Sequence, residues 1–250
     1  MSRLADRITR VARPGAAPMG FGRAAARRAS PTLLCLLRLN KEQVSKAGEA
    51  AAGGADAVII SGVDAGKLGQ AVDKLGDLPV GLRLENAERE AVAAARAAGA
   101  DFVLLDEGAS AEVVVEEGVG LVLSMGTDAG DTELRVLAGL PLDALEVPAV
   151  AEPLTLRGML ELRRLSLLSQ TPLLVEVQPQ TDASRLQALR EAGAVGVILD
   201  GKHADKLEAL REAVLSLPPK GRRREERAEA LLPSLTAVPT EEEEEESEYP

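Results

Sequence analysis

The sequence predicts an α/β protein built as one compact (β/α)8 barrel, flanked by a basic N-terminal arm and an acidic C-terminal tail. Three observations carry that prediction. The first is a repeated phrase: Gly-Gly-Ala-Asp-Ala-Val-Ile-Ile at 53–60, Ala-Gly-Ala-Asp-Phe-Val-Leu-Leu at 98–105, Gly-Val-Gly-Leu-Val-Leu-Ser at 118–124 and Ala-Gly-Ala-Val-Gly-Val-Ile-Leu-Asp-Gly at 192–201. Each copy is a helix running into a glycine free to take positive φ, then a β-branched run fit for burial on both faces. The second is strict strand–helix alternation from 32 to 219, in eight units of about 23.5 residues, the count that closes a parallel sheet on itself. The third is the first turn, Arg-Leu-Asn-Lys-Glu-Gln. It lacks the glycine fingerprint of an open doubly wound sheet, which is the rival architecture.

Taken in order, residues 1–31 read as an appendage. Leu4, Ile8 and Val11 recur at helical spacing among Arg3, Arg7 and Arg10, and Pro14 ends the pattern. The segment is either a solvated arm or a short basic helix lying on an anionic membrane surface. No apolar run reaches the length of about 20 residues that spans a bilayer. Strands are expected at 32–39, 56–61, 79–85, 101–106, 119–124, 142–147, 172–178 and 195–200. Helices are expected at 41–52, 65–75, 87–98, 110–117, 130–139, 154–169, 182–192 and 203–216. Asn40, Asn86, Ser110 and Asp182 mark helix starts. Residues 220–250 hold a basic run, a short Ala/Leu patch and Glu241 to Glu246. Like charges in a block repel, so this segment reads as a disordered tail.

Composition narrows the function. Phe21, Phe102 and Tyr249 are the only aromatics, which weighs against both the stacking that grips single-stranded nucleic acid and the Tyr/Trp hot spots of protein interfaces. The net charge is −11, yet residues 1–30 carry seven arginines against Asp6, and 220–250 carry five basic and ten acidic groups; residues 31–219 therefore hold −12. An acidic barrel argues against binding a polyanion. The single cysteine, Cys35, cannot form an internal disulfide, which fits a reducing, cytoplasmic setting, peripheral to a membrane if the arm lies on one. Inside its apolar run Cys35 reads as an inert buried thiol.

Side-chain alternation sends one polar residue of each strand to the C-terminal mouth, where barrels of this kind keep their working groups. The mouth set is Arg38 and Asn40, Ser61, Arg83 and Glu85, Asp106, Ser124, Glu146, Glu176 and Gln178, and Asp200. Below them the same parity places Leu34, Leu36, Gly81, Leu104, Ala144, Leu174 and Ile198 as filling. Five carboxylates against two arginines leave either a salt-bridged plug or room for a cation. Oxygen ligands favour a divalent metal such as Mg²⁺, held by Glu146 and Glu176. Gly201 and Lys202, at a helix start after the last strand, form a candidate phosphate-binding turn. Asn40 is also explained as a helix cap alone. No strand carries a lysine for Schiff-base chemistry, with Lys41 the nearest substitute, and His203 has no nucleophile elbow to serve.

The Gly-Ala-Asp-x-Val-Ile/Leu-Ile/Leu phrases at 54–60 and 99–105, with Gly193 to Gly201, resemble the aldolase-type, phosphate-binding TIM-barrel superfamily over about 32–219. The resemblance implies lyases, isomerases and flavin-dependent oxidoreductases that act on small, often phosphorylated metabolites. On that reading Arg38 or Arg83 grips an anionic substrate, and Glu85 or Asp106 transfers a proton with metal assistance. The chain departs from the pattern at Gln178-Pro179-Gln180, where a second glycine-rich turn is usual. The competing reading is a non-catalytic barrel kept as a binding or scaffold module.

Overall fold

Eight strands pair in parallel and in chain order, and the first pairs with the last, so the sheet closes. The structure is a computed structural model that describes residues 2–12, 31–148, 150 and 152–218. The strands are β1 (Leu34–Asn40), β2 (Ala57–Ser61), β3 (Val80–Arg83), β4 (Phe102–Leu105), β5 (Gly120–Ser124), β6 (Ala144–Val147), β7 (Leu173–Val177) and β8 (Ala194–Asp200). The helices are α1 (Arg3–Ala12), α2 (Ala47–Ala52), α3 (Ala65–Leu75), α4 (Arg89–Ala97), α5 (Asp131–Leu137), α6 (Leu156–Ser169), α7 (Ala183–Ala192) and α8 (Leu207–Leu215).

Period-two alternation splits the apolar residues into two cores. One set, with Val58, Ile60, Val103, Leu145, Val175 and Val197, faces the surrounding helices. The other fills the barrel: Leu34, Leu36, Ile59, Leu104, Val122, Ala144, Leu174 and Ile198. Gly81 is part of that filling by what it omits. A β-carbon there would lie 2.2 Å from the Phe102 ring, so the aromatic takes the volume that β3 leaves open.

Three expected helices are partly or wholly tighter turns. Residues 41–52 form a 3₁₀ turn (Val44–Lys46) and then α2; 110–117 shorten to a 3₁₀ turn (Ala111–Val115); and 203–216 divide into Gly201–Lys206 and α8. Ser110 and Asp182 accept from the N–H groups of Glu112 and Arg185 and cap as expected. Asn86 does not, because it sits at φ +46 three residues before α4, whose N-cap is Glu88.

The sequence reading puts residues 1–31 outside the barrel, and over residues 2–12 the structure corrects it. α1 packs on β1 and β8, and Leu4, Ile8 and Val11 join the core inside the barrel at its N-terminal mouth. Leu4 and Ile8 are buried, a contribution of about 1.5–3 kcal/mol each in area removed from water. Carboxylates of the barrel meet the unpaired amides of the helix start. Asp101 accepts from the N–H groups of Arg3 (2.8 Å) and Leu4 (2.9 Å), a favourable match of charge and helix dipole. The Ser2 hydroxyl accepts from the Ala5 N–H and donates to Asp143 at 2.5 Å. The apolar face proposed for a membrane is therefore already covered by protein. No helix among the described residues is long and apolar enough to cross a bilayer. Residues 13–30 and the expected tail at 220–250 lie outside the described residues.

Candidate functional site

At the C-terminal mouth the inward positions turn polar, and four of the expected residues come together. Arg38, on β1, reaches over the barrel filling. Its Nη1 donates to Glu176 on β7 at 2.9 Å and its Nη2 donates to Glu146 on β6. Arg83, on β3, stands 3.6 Å from the other oxygen of Glu146. Glu146 is 0% exposed, while Arg83 and Glu176 keep about a quarter of their side chains in water. A buried carboxylate is costly without a counter-charge, and here the two arginines supply it. Two charges of each sign meet, and the cluster is neutral.

The other acids counted at the mouth are spent elsewhere. Asp106 accepts from the N–H groups of Asn86 and Gly108 at 3.1 Å each, tying the turns after β3 and β4 together. Asp200 accepts from the Lys202 N–H at 2.8 Å and caps the turn that follows β8. Glu85 lies beyond the end of β3, exposed, with no hydrogen bond or ion pair among the described residues. Asn40 is a cap, accepting from the N–H groups of Glu42 and Gln43.

Two expected sites meet competing contacts in this geometry. Glu146 and Glu176 do converge, but on the guanidinium of Arg38. With Arg38 between them the two carboxylates already have their counter-charge, and the guanidinium takes the place that a divalent ion would need. Among the described residues no group of three or more His, Cys, Asp or Glu side chains is placed to hold a metal. The phosphate turn is also occupied. The amide of Lys202 already holds the carboxylate of Asp200, and a β-carbon on Gly201 would stand 2.6 Å from the Arg38 carbonyl, so that glycine serves packing against β1.

Open space lies beside the cluster. A groove of about 570 Å³ runs past Asn86, Asp106, Ser124, Met125, Asp128 and Glu133. A smaller hollow of about 290 Å³ lies between Lys41 and Ser61. The sequence reading missed Asp128 and Glu133, because it considered strand ends alone; Asp128 belongs to the β5–α5 connection and Glu133 to the first turn of α5. At this mouth Arg38 Nε, Ser61 Oγ and Glu146 Oε2 are buried without a hydrogen-bond partner among the described residues. Cys35 faces the outer core, and burial pushes its thiol up to about 12, with the Asp56 charge adding to the effect. It is an inert thiol.

Solved structures share this architecture. A tryptophan synthase α-subunit variant from Pyrococcus furiosus superposes with a TM-score of 0.57 at 16% identity, over 72% of this chain and 96% of that one. A chain of the tryptophan synthase complex from the same organism gives 0.58 at 16%, with 72% and 96% covered. A third, from a study of mutual activation of the tryptophan synthase α2β2 complex, gives 0.57 at 17%, with 72% and 95% covered. The shared fold is a (β/α)8 TIM barrel. No protein-family model and no curated protein sequence matches the chain. At this level of identity the likeness describes the barrel, and the chemistry has to be argued from the mouth itself.

Proposed function

We propose that this chain is a non-catalytic TIM barrel that works as a binding module within a larger assembly. One observation carries the reading: Arg38 bridges Glu146 and Glu176, so the acids nearest the barrel axis are neutralised by the chain's own arginines. A general base must be free to take a proton and within reach of substrate. Glu146 is fully buried and ion-paired. The N-terminal mouth is likewise filled, by Leu4 and Ile8 of α1. Solved structures with this fold include subunits of a tryptophan synthase α2β2 complex, a precedent for a barrel of this size acting in an assembly.

A second reading keeps a lyase acting on a small anionic or phosphorylated metabolite. The groove favours it, since Asp106 and Ser124 line a cavity of ligand size. Arg83, a quarter exposed, would receive the anion, and Asp106 would move the proton.

Thermal midpoints decide between the two, because a ligand that binds the folded state raises the midpoint. Wild type, Arg83→Ala and Asp106→Asn are melted with Mg²⁺, inorganic phosphate, sugar phosphates and 2-oxo acids. The binding-module reading expects no shift with any of them. A shift in wild type that both variants lose would overturn it in favour of the lyase.

A further inference from the structure

α6 is apolar on the wrong side as well as the right one. Its inner face buries Leu162 and Leu165 against the barrel. Its outer face carries Leu156, Leu160, Arg163 and Leu167, at the 4-3-4 spacing of a helix–helix seam. The three leucines are 80%, 64% and 61% exposed. α5 packs beside α6 and adds Val136 and, just beyond its end, Leu140, both exposed. A surface helix normally turns polar residues outward, and a contiguous exposed apolar patch marks an interaction site.

Charge around the patch selects the occupant. The acids on these two helices are engaged: Asp131 with Arg164 at 2.6 Å, Glu161 with Arg157 at 2.7 Å, and Glu133 as acceptor from the Gly130 N–H at 3.2 Å. Arg135 is exposed and has no partner among the described residues. Arg163 spends one N–H on the neutral Glu191 carbonyl, which leaves its charge uncancelled. Glu133, like Arg163, meets only a neutral partner, so Arg135 and Arg163 outnumber it and the two helices are net basic by one on a chain of net charge −11. A second copy would bring the same uncancelled arginines, Arg135 and Arg163, against one such acid, so like charge would face like. We propose that the outer face of α5 and α6 docks an amphipathic helix of another protein, with apolar residues at three- and four-residue spacing flanked by Asp and Glu. This deepens the binding-module reading, on which it rests, by naming the surface and the partner's chemistry.

Two labelled peptides test it, each about three heptads long, with leucine along the seam. One carries Glu at the flanking positions and the other Lys. Fluorescence anisotropy with the full-length protein should show saturable binding of the acidic peptide only, weakened by salt. Leu160→Ser, at an exposed position, should leave the melting midpoint unchanged and weaken binding at least about tenfold. Arg135→Glu with Arg163→Glu should weaken it several-fold. Equal binding of both peptides, no saturable binding of either, or binding that survives Leu160→Ser overturns the proposal. So does a concentration-dependent dimer that Leu160→Ser dissolves, which assigns the face to a second copy. None of these outcomes depends on metabolite shifts, so the docking surface and the non-catalytic reading fail separately.

Discussion

Arg38 Nη1 lies 2.9 Å from Glu176 Oε2, so a side chain rooted on the first strand is tied to the seventh. With its second nitrogen on Glu146, Arg38 is the only described cation that holds both carboxylates of the mouth.

Arg38→Met should therefore cost about 3–5 kcal/mol, because Glu146 stays buried with only the longer contact to Arg83. Adding Glu146→Gln should recover a large part of that loss by removing the stranded charge. Urea unfolding of the three proteins gives the comparison. A single variant within about 1 kcal/mol of wild type would place the pair in the weak range of solvated surface bridges.

Gly81→Ala should destabilise by about 1–3 kcal/mol through overpacking, since its new methyl meets the Phe102 ring. Phe102→Leu in the same chain should relieve the clash, giving a favourable coupling energy in a double-mutant cycle. Strictly additive effects would mean that the ring does not occupy the space beside Gly81.

Leu4→Ala should cost about 2–5 kcal/mol, the range for a leucine removed from a packed core. Arg10→Ala, exposed on the same helix, should stay within about 0.5 kcal/mol of wild type. Equal, negligible effects from the two would show α1 free of the barrel.

Asp143 sets a pH dependence. Burial raises its carboxyl above the ordinary 3.8, against the opposing hydrogen bond from Ser2 and with the Asp101 charge adding to the rise. A raised carboxyl binds its proton more readily in the folded state than in the unfolded chain. Its contribution is fully present below the unfolded value and is lost as pH rises through the folded one. Relative to Asp143→Asn, wild type should gain stability as pH is lowered from 7 toward 4. Urea midpoints of both proteins across that range check the sign, and a gap that moves the other way would mean that Asp143 is held ionised.

The scaffold was legible because strands buried on both faces leave unmistakable apolar runs. The parity that placed Leu36, Leu104 and Leu174 inside the barrel also sent Arg38, Glu146 and Glu176 to the mouth. What parity does not encode is where a strand stops. β3 ends at Arg83, so Glu85 leaves the mouth. Parity also cannot tell which acids backbone amides will claim, and Asp106 and Asp200 are both claimed. Removing these three turns an apparent excess of negative charge, which left room for a cation beside the salt-bridged alternative, into a balanced cluster. The stripe of Leu4, Ile8 and Val11 reads alike for lipid, water or protein. Its partners, Asp101 and Asp143, are about a hundred residues or more away.

The seating of α1 imposes an order on biosynthesis. Ser2 and Asp143 are 141 positions apart, so at about 5–20 residues per second the helix waits roughly 7–28 s for its acceptor to be made. β8, which it also touches, comes later still. During that interval the basic, apolar segment has no barrel to bury it, and ten residues are too few to hold a helix alone. Its docking becomes a late step that marks a completed barrel.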